Sequence, residues 1–304
     1  MTRVLVLGAG GFLGAHAVRA LEAAGATPIP APSRDRLDLA TADPAALIQL
    51  LRQVRPDAVV NAAGLIGGSP EELERGNTEV VRRLLAASAV AVPGIRFIHL
   101  GSLAEYGAAD PVAGMVPQLA EDRPARPLSG YGVAKLRATT LVLDASRQGL
   151  VDGCVLRVAN SVGAGQPAAS LVGAVIGQLR HHPGDQVRVG PLDGLRDIVS
   201  ARDVGRAVAA AALLPGTPRH RLINVGTGRA CSMRDVVHSV LRLAGGHPTL
   251  IEGALPGSAR SSAVLDAVPD VRRAADVLGW VARDDLATAV CDALDGAGLL
   301  RCIP

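Results

Sequence analysis

Lysine is almost absent from this 304-residue chain. Thirty of its 31 basic residues are arginine, and the exception is Lys135. Aromatic residues make up 2% of the chain, with only two tyrosines, Tyr106 and Tyr131. Nucleic-acid surfaces combine clustered basic residues with stacking aromatics. Here the net charge of +3 is interspersed and aromatics are scarce, so no nucleic-acid partner is expected. No uncharged apolar run reaches the roughly 20 residues that span a bilayer, and no membrane association is expected. Met1-Thr2-Arg3 leads straight into a strand-like segment, so no signal peptide is expected. Four cysteines (Cys154, Cys231, Cys291, Cys302) show no C-x-x-C spacing and suit a reducing compartment, so the expected location is the cytoplasm. The seven histidines show no metal-ligand spacing, and the adjacent His181 and His182 cannot face one metal from a regular element; no metal is expected.

What is present is a globular chain, 49% hydrophobic and 19% charged, long enough for one large α/β unit or two domains folded together. Val4–Leu7 is a short apolar run ending in glycine, as suits a buried parallel strand. A helical stripe follows (Leu13, Ala17, Ala20, Leu21, Ala24), closed by Gly25. Asp43-Pro44 opens another helix, Asp57–Asn61 and Arg96–Leu100 read as strands, Tyr131–Arg147 as helix and Cys154–Val158 as strand. This alternation implies right-handed βαβ units around a parallel sheet. Thr27–Pro32 should be the second strand, yet alternating prolines conflict with a central position. After about Ser161 the alternation weakens. The reading is an α/β fold: a Rossmann-type doubly wound parallel sheet at 1–160, and a smaller α/β substrate-binding domain at 161–304 with some segments returning to the sheet.

Between the first strand and helix lies Gly8-Ala9-Gly10-Gly11-Phe12-Leu13-Gly14. The G-x-G-x-x-G spacing fails at Leu13, but Gly8, Gly11 and Gly14 satisfy G-x-x-G-x-x-G. Such a turn brings backbone close to a pyrophosphate and aims a helix N-terminus at it. Some 20 residues on, Ser33, Arg34 and Arg36 suit a 2′-phosphate and favour NADP(H), while Asp35 keeps NAD(H) open.

The sole lysine lies four residues after one of the two tyrosines, on one helix face. A compact ammonium beside a phenol favours the phenolate and makes the hydroxyl a usable acid/base. Ser102, just past a predicted strand end, supplies a hydroxyl that could polarise a carbonyl beside Tyr131.

In that order and on those elements, these residues resemble the extended short-chain dehydrogenase/reductase family, especially its nucleotide-sugar branch. The resemblance covers nearly the whole chain. It implies Ser102, Tyr131 and Lys135 as the catalytic set. It places the cofactor against Gly8, Gly11, Phe12, Leu13, Gly14, Ser33, Arg34, the pair Asp38-Leu39, and Ala62, Ala63 and Gly64. Asn77, opening a helix, resembles an active-site asparagine. Leu156–Gly163 is similar to an "LRxxNxxG" segment whose Asn160 contacts substrate. Arg196–Val204 is similar to "RDFxxVxDV", with Arg196 on a diphosphate and Arg260 as a weaker second candidate. Asn224–Gly228 and Leu278-Gly279-Trp280 match the "NVGxG" and "LGW" landmarks. By themselves, Trp280 reads as a core anchor, Arg196 as a surface charge, Asp203 as a helix cap, and Asn77 and Asn160 as turn or cap residues.

The family's dehydratases place an Asp-Glu pair after the catalytic hydroxyl, and its epimerase-reductases a Cys two residues beyond; Leu103 and Ala104 stand here. Dehydration and 3,5-epimerisation are therefore disfavoured. The expected activity is NADPH-dependent 4-ketoreduction of a nucleotide-activated deoxysugar, a dTDP-4-keto-6-deoxyhexose. An NAD-dependent 4-epimerase and a non-catalytic NADP-binding sensor remain as alternatives. The resemblance implies a homodimer.

Overall fold

The computed structural model describes residues 1–107, 116–181, 186–245, 248–256 and 266–300. Arg260, His182 and Cys302 lie outside the described residues. In chain order the first half contains β1 (Arg3–Leu7), α1 (Phe12–Ala23), β2 (Thr27–Pro30), α2 (Pro44–Val54), β3 (Ala58–Asn61) and α3 (Pro70–Leu73). A π-helical segment, Glu74–Glu79, joins α3 to α4 (Val80–Ala91). Then come β4 (Arg96–Ser102), β5 (Gln118–Leu119), α5 (Gly130–Arg147) and β6 (Asp152–Val158). The second half contains β7 (Asn160–Val162), α6 (Leu171–His181), β8 (Gln186–Arg188), β9 (Leu195–Arg196), β10 (Ile198–Ser200), α7 (Ala201–Ala212) and β11 (Leu222–Val225). It closes with β12 (Cys231–Ser232), α8 (Met233–Leu243), β13 (Thr249–Ile251), β14 (Val268–Pro269), α9 (Arg272–Leu278) and α10 (Leu286–Gly296).

Six parallel strands form the main sheet in the order β11-β6-β4-β3-β1-β2, a Rossmann-like arrangement with helices on both faces. The strand period of two sorts side chains between two cores. Val4, Val6, Val60, Ile98 and Leu156 face α1 and α7, while Leu5, Leu7, Val59, Phe97 and Val155 face α2, α4 and α5. A stripe of Val and Leu buried on both sides is what a parallel sheet requires. A third cluster, including Val172, Val175, Val236, Val240, Val290 and Leu294, gathers α6, α8 and α10 with Val162 of β7, Val187 of β8 and Ile198 of β10.

The prolines of the second strand find their explanation in strand order. Among the described residues, β2 is the sheet edge and pairs only with β1. Thr27 and Ala31 donate their amides inward to Thr2 and Val6. The even positions between them, Pro28 and Pro30, therefore turn their nitrogens to the open side, where no ladder donor is needed. Proline at every outward position also blocks pairing with another chain.

Asp203 is more than a helix cap. Fully buried in the first turn of α7, its carboxylate accepts the amides of Arg283 (3.0 and 3.1 Å) and Asp284 (2.9 Å) and pairs with Arg206. The Asp203 carbonyl accepts the Trp280 indole N–H at 3.0 Å, anchoring that ring in the core.

Candidate active site

The glycine turn is held by its neighbours. Gly8 has a φ of 76°, and a Cβ there would lie 2.7 Å from the Ala63 nitrogen and 2.9 Å from the Ala62 oxygen. The turn is thus packed against the end of β3, where Asn61 accepts the Ala63 amide through Oδ1 (3.2 Å). Gly11 donates to the Gly8 carbonyl (2.9 Å), and a Cβ on Gly14 would overlap that same oxygen. Gly11 stands at the N-cap of α1 with no side-chain cap, and the first turn carries no acid. Uncapped amides at a positive helix end, beside a Gly10 with open space around it, fit the pyrophosphate of a dinucleotide. Phe12 packs its ring edge-to-face on His16 at 5.7 Å. Across the sheet end, Asp38 accepts the Ala40 amide (3.0 Å) and the Arg34 guanidinium (3.3 Å), leaving Arg34 mostly exposed beside Ser33.

Tyr131 and Lys135 are both buried, one turn apart near the start of α5, whose N-terminus Ser129 caps by accepting the Gly132 amide. The Tyr131 ring packs with Leu73, Ala134, Leu65, Ile66 and Ala104. Lys135 Nζ donates to the Leu100 carbonyl at 2.7 Å, which ties α5 to the end of β4. A Cβ on Gly64 would sit 3.5 Å from Lys135 Nζ and 2.7 Å from Asn77 Oδ1, so Gly64, Asn77 and Lys135 converge at one point.

Asn77 does not open a helix. It lies inside the π-helical segment, where the widened turn lets Nδ2 donate to the Leu65 and Leu73 carbonyls (3.0 Å each). Its Oδ1 is buried without a hydrogen-bond partner among the described residues, aimed at the region of Gly64 and Lys135. Ser102 is the last residue of β4 rather than just past its end, and it caps a short 3₁₀ turn, Leu103–Glu105.

Asn160 is exposed at the start of β7, paired with Ile198 of β10. Arg196, in β9, is half-buried rather than a surface charge, and its Nη1 donates to the Leu195 carbonyl (2.9 Å) and Asp266 (3.2 Å). Burial pulls its pKa below the usual guanidinium value, against the opposing pull of Asp266. The adjacent Asp197 is buried and accepts the amides of Thr227 (2.9 Å) and Arg229 (3.2 Å), so the Arg196–Val204 segment is bonded to the Asn224–Gly228 landmark.

The sequence profile of the NAD dependent epimerase/dehydratase family matches residues 4–226. The chain belongs to that family. It is an NAD(P)-dependent enzyme of the extended short-chain dehydrogenase/reductase type, which sets the non-catalytic sensor reading aside. Among family members it is 37% identical to the dTDP-6-deoxy-L-talose 4-dehydrogenase (NAD(P)(+)) of Kitasatospora kifunensis, over 95% of this chain and 93% of the relative. It is 29% identical to the UDP-glucose 4-epimerase of Azospirillum brasilense, over 93% and 88%. The solved structure of MoeE5 with UDP-glucose and NAD superposes with a TM-score of 0.80 at 30% identity, covering 97% of this chain and 98% of that one.

Two features of this family member escaped the motifs. One is the buried pair beneath Ser102, Glu105 and Arg157: Ser-x-x-Glu, a capping-box pattern, could have suggested the Glu105 bond to Ser102, but not the pairing with Arg157. The other is His99, buried in β4 with Nδ1 3.2 Å from Asn61 Nδ2. Burial, aided by the Lys135 charge, holds its pKa well below the usual imidazole value. The unfolded chain therefore takes up a proton on His99 that the folded chain refuses. Stability from this residue is present above the unfolded value and lost as pH falls below it. Between pH 8 and pH 5.5, wild type should lose more stability than His99→Gln in urea unfolding, whereas equal losses would show that the fold does not hold His99 neutral.

Among the described residues no cluster of His, Cys, Asp and Glu could hold a metal ion, and no helix is long and apolar enough to cross a membrane.

Proposed function

We propose that this enzyme exchanges hydride at C4 of a nucleotide-activated 6-deoxyhexose, acting as an NADPH-dependent 4-ketoreductase on a dTDP-4-keto-6-deoxyhexose. The observation that carries the reading is its near-full-length similarity to a dTDP-6-deoxy-L-talose 4-dehydrogenase, the same alcohol/ketone couple read in reverse. Leu103 and Ala104 support it, because neither can exchange a proton with C5 or C6.

Bound at the glycine turn, the dinucleotide supplies the hydride. The chain's own residues orient and polarise. Ser102 Oγ accepts the Ala104 amide (3.2 Å) and so has its hydrogen available for the substrate carbonyl. Tyr131 gives its hydroxyl proton to the developing alkoxide. Lys135, anchored on the Leu100 carbonyl, stabilises the phenolate left behind and holds the nicotinamide ribose. The Gly8, Gly11 and Gly14 turn takes the pyrophosphate, with Phe12 and Leu13 following it in the first turn of α1. Asp38 and Leu39 take the adenine, Ser33 and Arg34 the 2′-phosphate, and Ala62 and Ala63 flank the cofactor. Asn77 borders the reacting centre, and Asn160 and Arg196 grip the substrate diphosphate. A homodimer, a cytoplasmic location and a division near residue 160 into cofactor and substrate domains belong to the same reading.

NADPH oxidation over a panel of dTDP-4-keto sugars tests it directly. No turnover, together with interconversion of 4-hydroxyl epimers without added cofactor, would establish the 4-epimerase instead, the activity named for the Azospirillum relative. Cofactor preference has its own test. Arg34→Ala should raise KM for NADPH about 10-fold, the loss of one charge-assisted contact, with KM for NADH unchanged. Equal shifts for both would remove Arg34 from the 2′-phosphate site.

A further inference from the structure

We propose that Glu105 is a positioning residue for Ser102, and that its buried pairing with Arg157 aims the serine hydroxyl at the reacting carbonyl. The inference rests on Ser102 acting as donor to the substrate.

Ser102 leaves β4 in extended conformation (φ −149°, ψ 147°) and two reciprocal bonds hold it. The Ala104 amide donates to Ser102 Oγ, and the Ser102 amide donates to Glu105 Oε1 at 2.8 Å. With one lone pair of the hydroxyl taken by a backbone donor, its hydrogen is directed away from the turn. On a protein surface such a box is a modest helix cap. Here its carboxylate is fully buried and its second oxygen receives Arg157 Nε at 2.8 Å, with the arginine side chain 4% exposed.

Burying two charges costs desolvation, and an apolar pair would serve packing as well or better. What the ion pair adds is direction. Arg157 lies on β6, directly opposite Gly101 in the β4–β6 register, so the turn that ends in Glu105 is fastened to the neighbouring strand. A Cβ on Gly101 would come 2.5 Å from Glu105 Oε1, so the residue before Ser102 leaves the room that carboxylate occupies. The guanidinium in turn lies 4.4 Å above the Tyr106 ring, and Tyr106 Oη donates to Asn224 of β11 at 2.8 Å. Ser102 is therefore referenced to three adjacent strands, β4, β6 and β11, and not to a free loop.

The test is a double-mutant cycle with dTDP-4-keto-6-deoxyglucose and NADPH. E105Q keeps an acceptor for the Ser102 amide but leaves Arg157 without a counter-charge. E105Q/R157Q removes both charges and serves where E105Q alone fails to fold. In the folded variant kcat should fall about 10-fold through misaimed donation, with both KM values within about two-fold of wild type. In an S102A background the same substitutions should produce no further fall. Equal falls in both backgrounds, or an unchanged kcat in the folded E105Q/R157Q enzyme, would overturn the positioning role alone. An S102A enzyme with wild-type kcat would overturn the serine's role and the inference with it.

Discussion

Tyr131→Phe is expected to lower kcat by about 10²–10⁴-fold while leaving dinucleotide affinity within about two-fold of wild type. The substitution removes one oxygen and keeps the ring. That ring is 8% exposed and packed among Leu65, Ile66, Leu73, Ala104 and Ala134, so the pocket wall survives. Lys135 keeps its bond to the Leu100 carbonyl, so the proposed nicotinamide side of the site is undisturbed. What disappears is the group that, in the proposed mechanism, passes a proton to the alkoxide, at the point where negative charge develops. Single-turnover NADPH oxidation with a dTDP-4-keto sugar, paired with a fluorescence titration of NADPH, separates the two quantities. A variant that turns over like wild type would leave Tyr131 as a packing residue, and the proposed chemistry would need another acid.

Gly14→Ala is expected to weaken NAD(P) binding at least about 100-fold, equivalent to roughly 2.7 kcal/mol. Its new methyl would overlap the Gly8 carbonyl, and Gly8 cannot retreat because Ala62 and Ala63 lie directly behind it. The first turn of α1 must shift instead, carrying its uncapped amides away from the proposed pyrophosphate position. Overpacking of this kind also costs about 1–3 kcal/mol of folding stability. Gly10→Ala is the control. Its Cβ would meet nothing within 4 Å, so its stability should stay within about 0.5 kcal/mol of wild type. Isothermal titration and thermal melts of the two variants read both effects. Normal dinucleotide affinity in folded Gly14→Ala would show that the glycine turn is not the binding loop.

Much of the candidate site was legible because rare residue types stood at meaningful spacing. A lone lysine one turn from one of two tyrosines stands out in an arginine-rich chain. The glycine turn was legible because its position between a strand and an amphipathic helix matters more than its exact spacing. Asn77 was harder to place. A helix start and a π-helical widening share the same local residue preferences, and only the carbonyls of Leu65 and Leu73 on either side reveal which one forms. Glu105 and Arg157 were harder still. They lie 52 positions apart, and nothing local in either segment announces that two charges will be buried together.

The chain's own residue order determined the alternation of strands and helices, the glycine turn and the tyrosine–lysine pair, because each depends on neighbours within a few residues. Strand order, the edge position that makes Pro28 and Pro30 harmless, and the bonds that hold Ser102 were decided only on folding. Those depend on which segments meet across the sheet, and that is settled by burial and charge pairing between residues distant in sequence.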